Sequence, residues 1–315
     1  MTRRIIPALM AVLTLLFATP AFAQQPEKLT LLLDWFINPN HAPIVLAKER
    51  GLFLKRGLDV TIIEPSDPSA PPRLIAAGQG DIGVSYQPSF TRAVKNNIPV
   101  VRIGTLIATP LNTLTVLADG PIKTLADLKG KTIGYSGSGI QDVMLRAMLK
   151  SAGLTQADVK LVSVNFALTI ALVSGRADAI IGGYRNFEAM EIELAGKKPK
   201  MFFPEDAGVP PYDELIYIAK QDRFGDAKFD RFFAAIEEAT LLILNDPDGS
   251  WSSFIKAHPK LDDALNKRAW VDTIRRFQAA PKAVDADRYL AVAEFMKQGG
   301  IIDKVEPIER YIGKR

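Results

Sequence analysis

Apolar residues fall along the chain in short runs separated by helical stretches. Leu29–Leu33, Asp59–Glu64, Asp81–Tyr86 and Val100–Ile107 read as strands, being short, rich in Leu, Ile and Val, and bounded by charged or turn-forming residues. Between them Ala42–Arg50, Arg73–Ala77 and Ser89–Asn96 carry helical spacing, with Gly51 and Gly78 placed to end the first two. Strand and helix in alternation predict a largely parallel sheet covered by helices on both faces. Asp34–His41 is then a strand-to-helix loop, and Pro65–Pro72 a proline-rich connection.

The alternation restarts after Ile122. Gly130–Tyr135 predicts a strand that runs into Ser136-Gly137-Ser138-Gly139 and a helix over Gln141–Ala152; Lys160–Val164, Thr169–Ser174 and Ala179–Gly182 continue as strand, helix and strand. A second α/β unit therefore lies between Ile122 and Pro211. The two units share an echo: LIAAGQGD at Leu74–Asp81 and ALVSGRAD at Ala171–Asp178, each a helical turn closed by glycine, then an aspartate and a strand ending near Tyr86 or Tyr184. Beyond Pro210-Pro211 a strand at Leu215–Ala219 precedes four amphipathic segments, Phe229–Leu244, Trp251–Lys256, Lys267–Ala279 and Ala286–Gln298, punctuated by Pro247, Pro259 and Pro281. Helices without strands of their own need a sheet to cover, and the first unit offers one. The expected architecture is α/β, with a discontinuous first lobe of residues 24–117 and 214–315 and a second lobe of 118–213. Strands near 112–118 and 212–219 cross between the lobes as a hinge that opens and closes a cleft.

The first 23 residues stand apart. Arg3 and Arg4, the apolar run Ile5–Ala18 and Ala21-Phe22-Ala23 have the layout of a secretory signal peptide cleaved after Ala23. The run is too short to span a bilayer. Cleavage leaves 315 less 23, or 292 residues, with net charge +2 rather than +4. A soluble protein of the periplasm is expected, without lipid attachment because no cysteine follows the cleavage site.

Composition narrows the chemistry. With 48% hydrophobic and 23% charged residues the chain can build a packed core. It has no cysteine, which excludes disulfides, thiolate metal sites and cysteine nucleophiles, and its two histidines, His41 and His258, do not suffice for a multi-histidine metal site. Basic residues are spread without a block or aromatic interleaving, so nucleic acid is not the expected partner. Ser136–Gly139 is neither a P-loop nor a full dinucleotide fingerprint.

Specific residues then point to a family. LLLDWFINPNHAPIVLAKERGLFLKRGLDVTIIEPSDPS at Leu31–Ser69 closely resembles the opening of the family that contains bacterial thiamine-pyrimidine-precursor binding proteins and the fungal thiamine-pyrimidine synthases. The resemblance continues through GQGDIGVSY at Gly78–Tyr86, LADLKGKTIGYSGSG at Leu125–Gly139, GRADAIIGGYRNFE at Gly175–Glu188 and NDPDGSWSSFIKAHPKL at Asn245–Leu261. LKGKTIG is widespread in type II binding proteins; Asp-Trp followed by Asn-x-x-His discriminates better. The resemblance implies a type II periplasmic binding protein, a monomer without cofactor, that closes on a substituted aminopyrimidine and delivers it to an inner-membrane ABC permease.

A pyrimidine offers a π face, accepting ring nitrogens and a donating amine, so its site needs aromatic planes beside carboxylate and amide edges. Trp35 and Tyr184 are candidate stacking surfaces. Asp34, Asn38, Asn186 and Glu188 are candidates to read the edges, Tyr86 to add a face or hydroxyl, and the amides of Ser136, Gly137 and Ser138 to hold a carbonyl or anionic substituent. Each has a structural alternative: Asp34 as a helix cap or inter-lobe ion pair, Asn38 as an Asx turn before Pro39, Trp35 and Tyr86 as core, Glu188 as a solvated helix-start carboxylate. Tyr212 and Glu214 near the return crossing are weaker candidates. In the synthases resembled, the histidine matching His41 takes part in the chemistry. The export signal, the lack of the synthases' cysteine-rich cluster and the absence of a lysine in the FINPN stretch favour binding over catalysis here. Two alternatives stay open: another solute on the same scaffold (a sulfonate, nitrate, riboflavin or an aromatic carboxylate, with Arg185 suiting an anion), and a synthase-like enzyme. Trp251 and Trp270 are expected in the core, His258 in an exposed turn, and Lys197, Lys198 and Lys200 as a solvated run.

Overall fold

The computed structural model describes residues 25–137 and 141–314. The signal-peptide reading and Ser138 therefore lie outside the described residues. Strands β1 (Glu27–Leu32), β2 (Leu58–Ile63), β3 (Ile82–Ser85) and β4 (Val100–Ile107) alternate with helices α1 (Ala42–Glu49), α2 (Pro71–Ala76) and α3 (Gln87–Lys95). The chain then crosses to β5 (Asn112–Leu117), β6 (Thr132–Tyr135), a π turn at Gln141–Leu145, α4 (Arg146–Ser151), β7 (Lys160–Ser163), α5 (Leu168–Val173), β8 (Ala179–Tyr184), α6 (Glu188–Leu194) and β9 (Pro199–Phe202). It returns through β10 (Leu215–Lys220) and ends in α7 (Ala227–Asn245), α8 (Pro247–Ala257), α9 (Ala264–Thr273), α10 (Ala286–Gln298) and α11 (Glu309–Ile312).

Two five-stranded sheets result, ordered β2-β1-β3-β10-β4 and β7-β6-β8-β5-β9. In each, three strands pair in parallel, and the strand that has crossed from the other lobe inserts antiparallel: β10 between β3 and β4, β5 between β8 and β9. The sheets are thus mixed, as a double crossover requires. One boundary differs from expectation. Residues 112–117 pair with β8 and β9, so they belong to the second sheet and not to the end of the first lobe. The crossings themselves are 108–111 and 203–214.

The sequence echo has a structural meaning. Gly78 and Gly175 both take left-handed φ, +73° and +76°, ending α2 and α5. Three residues later Asp81 and Asp178 each accept a hydrogen bond from the start of the neighbouring parallel strand, Thr30 N at 2.7 Å and Thr132 N at 2.8 Å. Each backbone N–H of the pair Asp81 and Asp178 donates back, to Thr30 O and Thr132 O. The same reciprocal clamp fixes β1 against β3 and β6 against β8, so the lobes repeat one plan.

Four C-terminal helices open on an aspartate N-cap: Asp226, Asp246, Asp263 and Asp285 accept from Lys228 N, Gly249 N, Asn266 N and Arg288 N. These caps place helix starts a few residues ahead of the first apolar positions, so α8 begins at Pro247 rather than Trp251, and α9 at Ala264 rather than Lys267. Helix α9 ends at Thr273, short of Ala279, with Ile274–Arg276 a 3-10 turn. As expected, Trp251 and Trp270 are buried; they meet at 5.4 Å beside Phe254. Helices α7 and α8 pack on α1 of the first lobe. At Gly104 on β4 a Cβ would run into the Phe233 ring of α7, so only glycine allows that approach. Helix α9, expected on the first lobe alone, also touches α6 of the second. The Lys197–Lys200 run is partly the edge strand β9, and His258 caps α8 half-buried against Phe254.

Candidate functional site

Parallel strands end on the same side of a sheet, and in α/β folds that edge carries the ligand loops. Here the ends of β1 and β3 face the ends of β6 and β8 across the cleft. One cavity between them, about 430 Å³ of empty space open to solvent, is lined by Asp34, Trp35, Asn38, Asn40, His41 and Tyr86 from the first lobe. Ser136, Gly182, Tyr184, Phe187 and Glu188 line it from the second, and Leu215 from the start of β10.

The Asp34–His41 loop is held by its own polar groups. Asn38 opens the 3-10 turn Pro39–His41, its Oδ1 accepting from Asn40 N at 2.9 Å and its Nδ2 donating to Phe36 O at 3.0 Å. Asn38 thus lines the cavity but its amide chiefly caps the turn, the Asx-type alternative. The His41 Nδ1 accepts from Asn38 N at 3.3 Å, which leaves the hydrogen on Nε2 for Asp34 Oδ1 at 3.0 Å. Both residues are buried. The histidine therefore orients a carboxylate toward the cavity, and both of its nitrogens are engaged. The Tyr86 hydroxyl lies 3.5 Å from Asp34 O, and burial followed by the Asp34 charge holds its phenol well above the usual range.

From the opposite lobe, Glu188 stands at the start of α6. Its Oε2 accepts from Tyr184 N at 2.7 Å. Burial pushes its carboxyl up to about 7, against that hydrogen bond and with a contribution from Glu191. The Tyr184 hydroxyl is buried without a partner, a state that costs about 1–3 kcal/mol until something fills it. Trp35 reaches across the cleft: its ring meets Phe166 edge-on at 4.6 Å, and Phe36 lies 4.4 Å from the same ring.

Other expected residues sit elsewhere. Asn186 is fully buried outside the cavity, its Nδ2 donating to Asn40 Oδ1 and Thr273 Oγ1, each at 2.8 Å, so it ties lobes together and does not face a ligand. Ser136 lines the cavity, whereas Gly137 is buried and does not line it. Arg185 donates to Leu111 O, Asn112 O and Glu205 and lies over Phe203, which takes it out of the cavity. Glu214 accepts from Leu111 N, Asn112 N, Asn112 Nδ2 and Tyr212 Oη at 2.6 to 3.0 Å, binding the two crossings to each other. Tyr212 and Glu214 thus join the two crossings and do not line the cavity. Sequence reasoning missed Asn40, Gly182, Phe187, Leu215 and Phe166. Asn165, in the left-handed region at φ +50°, turns the chain after β7 just ahead of Phe166. Among the described residues no cluster of three or more His, Asp or Glu could hold a metal ion, and no helix is long and apolar enough to cross a membrane.

Comparison with known proteins agrees with this arrangement. The fold is that of periplasmic binding proteins: the alkanesulfonate-binding protein SsuA of Xanthomonas axonopodis pv. citri superposes with a TM-score of 0.70 over 90% of this chain and 96% of its own, at 18% identity. In sequence, a Haemophilus influenzae protein named for thiamine biosynthesis is 44% identical over 95% of each chain. The formylaminopyrimidine-binding protein of Halalkalibacterium halodurans is 37% identical over 69% of this chain and 67% of its own. A 4-amino-5-hydroxymethyl-2-methylpyrimidine phosphate synthase of Aspergillus parasiticus is 30% identical over 88% of this chain and 84% of its own. Residues 38–250, which carry the Asn38–His41 turn, the second lobe and both crossings, match the family model described as NMT1/THI5 like, and the chain belongs to that family.

Proposed function

We propose that this chain is the soluble solute-binding component of an ABC importer, exported to the periplasm, and that its cargo is a thiamine-related aminopyrimidine of the formylaminopyrimidine or hydroxymethylpyrimidine type. The observation that carries the reading is the character of the cavity. Its lining includes two carboxyl groups, Asp34 and Glu188, three aromatic rings besides Trp35 and, among the described residues, no lysine or arginine. A sulfonate, nitrate or carboxylate would bring a negative charge against carboxylates with no cation to offset it. A flat, neutral ligand with donors on its edge suits the same groups.

The chemistry can be stated group by group. A carboxyl near 7 is present in part as the acid at neutral pH, and the acid form of Glu188 can donate to a ring nitrogen while accepting from the adjacent amine. Asp34, oriented by His41, accepts from a second donor. Trp35 covers a ring face, and the unpartnered Tyr184 hydroxyl meets a formyl or hydroxymethyl oxygen. Specificity follows because a ligand lacking one edge group leaves its partner buried and unpaired. Binding is coupled to lobe closure; no bond is made or broken. Engagement of both His41 nitrogens supports a positioning role for that residue in place of a reactive one.

The test is isothermal titration of the mature protein, refolded to remove carried-over ligand, with 4-amino-5-hydroxymethyl-2-methylpyrimidine and its N-formylaminomethyl analogue. Taurine, nitrate and riboflavin serve as controls. Micromolar or tighter binding of a pyrimidine and none of the anions is expected. Binding of a control with no response to either pyrimidine would refute the assignment.

A further inference from the structure

At the edge of the cavity, which Asn40 also lines, three buried polar side chains meet from segments far apart in the chain. The Nδ2 of Asn186, just after β8, donates to Asn40 Oδ1 and to Thr273 Oγ1, and the Thr273 hydroxyl donates at 3.1 Å to the same Asn40 Oδ1. The triangle is closed: both amide hydrogens and the hydroxyl hydrogen are used. Asn40 belongs to the first lobe, and Thr273 ends α9, which is anchored there through Trp270 against Trp251 and Phe254. Asn186 belongs to the second lobe. Opening the cleft therefore breaks both bonds of Asn186 together. A second, exposed contact lies along the same seam, Arg268 of α9 with Glu193 of α6 at 2.6 Å.

We propose that Asn40, Asn186 and Thr273 form a latch that keeps the closed arrangement populated before a ligand enters, with α9, fixed to the first lobe, holding Asn186 of the second. Thr273 is a positioning residue in this reading and touches no ligand. The latch is built to be weak. Closure makes the two bonds of Asn186 in place of bonds to water, so the net gain is small, while it strands the Asn186 Oδ1 in the interior without a partner. Gain and cost nearly cancel, which leaves the two states close in free energy and lets a ligand's own contacts tip the balance. The exposed Arg268–Glu193 pair adds a minor, salt-screened share.

This inference rests on the two-lobed fold, and its test reads closure separately from ligand identity. Because the chain has no cysteine, Lys55→Cys on the first lobe and Lys160→Cys on the second give a unique pair for spin labels. Distance distributions are recorded without ligand and with 4-amino-5-hydroxymethyl-2-methylpyrimidine, for the parent and for Thr273→Val, which keeps the shape and deletes the hydroxyl. The parent should show a closed fraction without ligand, and Thr273→Val should lower it at least threefold. Release of the pyrimidine should accelerate by a similar factor with association unchanged. If Thr273→Val does not fold, Thr273→Ala is used, which deletes the same hydroxyl and should lower the closed fraction alike, with Thr273→Ser, which keeps the hydroxyl, restoring it. A parent with no closed fraction, or variants without the hydroxyl that melt and distribute like the parent, would overturn the latch. If no pyrimidine binds, the ligand-free distributions still decide it.

Discussion

Replacing Glu188 by glutamine separates what that residue does for binding from what it costs the fold. Burial raises its carboxyl from 4.5 to about 7, so ionising it in the folded chain is harder than in the unfolded chain by about 3 kcal/mol, at about 1.4 kcal/mol per pH unit. Between those two values the folded protein holds a proton that the unfolded chain has released. Stability contributed by the neutral acid is thus fully present below about 4.5, falls as pH rises toward 7, and is gone above it. Glutamine carries no charge and keeps an oxygen for Tyr184 N. At pH 8 the ligand-free Glu188→Gln protein should therefore be more stable than the parent by roughly 3 kcal/mol, a rise of about 5 °C in Tm for a chain of this size, and the difference should vanish near pH 4.5. Calorimetric melts of both proteins across that range provide the measurement. The same variant should keep its pyrimidine binding, because the amide donates and accepts as the acid form does, whereas Glu188→Ala should bind at least tenfold more weakly. Parallel stability curves for the two proteins between pH 4.5 and 8 would refute the argument that Glu188 is buried at a cost retained for binding.

Trp35 is half-buried at the cleft while Trp251 and Trp270 are packed in the core, so a ligand-induced change in tryptophan emission should disappear in Trp35→Phe, and Trp35→Ala should weaken pyrimidine binding about tenfold by titration, worth about 1.4 kcal/mol. At the hinge, Glu214→Ala strips the acceptor from Leu111 N and Asn112 N; at about 1–3 kcal/mol for each buried donor left unpaired, denaturant unfolding should register a loss of roughly 3 kcal/mol. An unchanged midpoint would show that the crossings are held by something else.

The strands and most helices were legible because apolar periodicity is a local property: Leu29–Leu33 and Val100–Ile107 are apolar runs wherever the chain goes. So was the repeat of the two units, since Gly78 with Asp81 and Gly175 with Asp178 each complete a turn and a strand clamp within their own lobe. Helix starts were legible less well, because Asp246 and Asp263 cap ahead of the hydrophobic positions that mark a helix by eye. The edge strand β9, with its lysines, carries no such pattern, as edge strands commonly do not.

The site divides along the same line. Asp34, Trp35 and His41 could be named from a loop following a strand, and Tyr86 and Tyr184 from matching places in the echo. Which of their neighbours face a ligand depends on contacts across long stretches of chain. Asn186 looks like an edge reader beside Tyr184 and Glu188, yet Asn40 and Thr273 take its hydrogens. Arg185 looks like an anion receptor, yet the carbonyls of Leu111 and Asn112 take its guanidinium. Local pattern specifies the elements because burial of one face repeats within a few residues; the roles of buried polar groups are set by whichever partners the lobes bring within about 3 Å, and that pairing exists only once the two crossings have folded the sheets against each other.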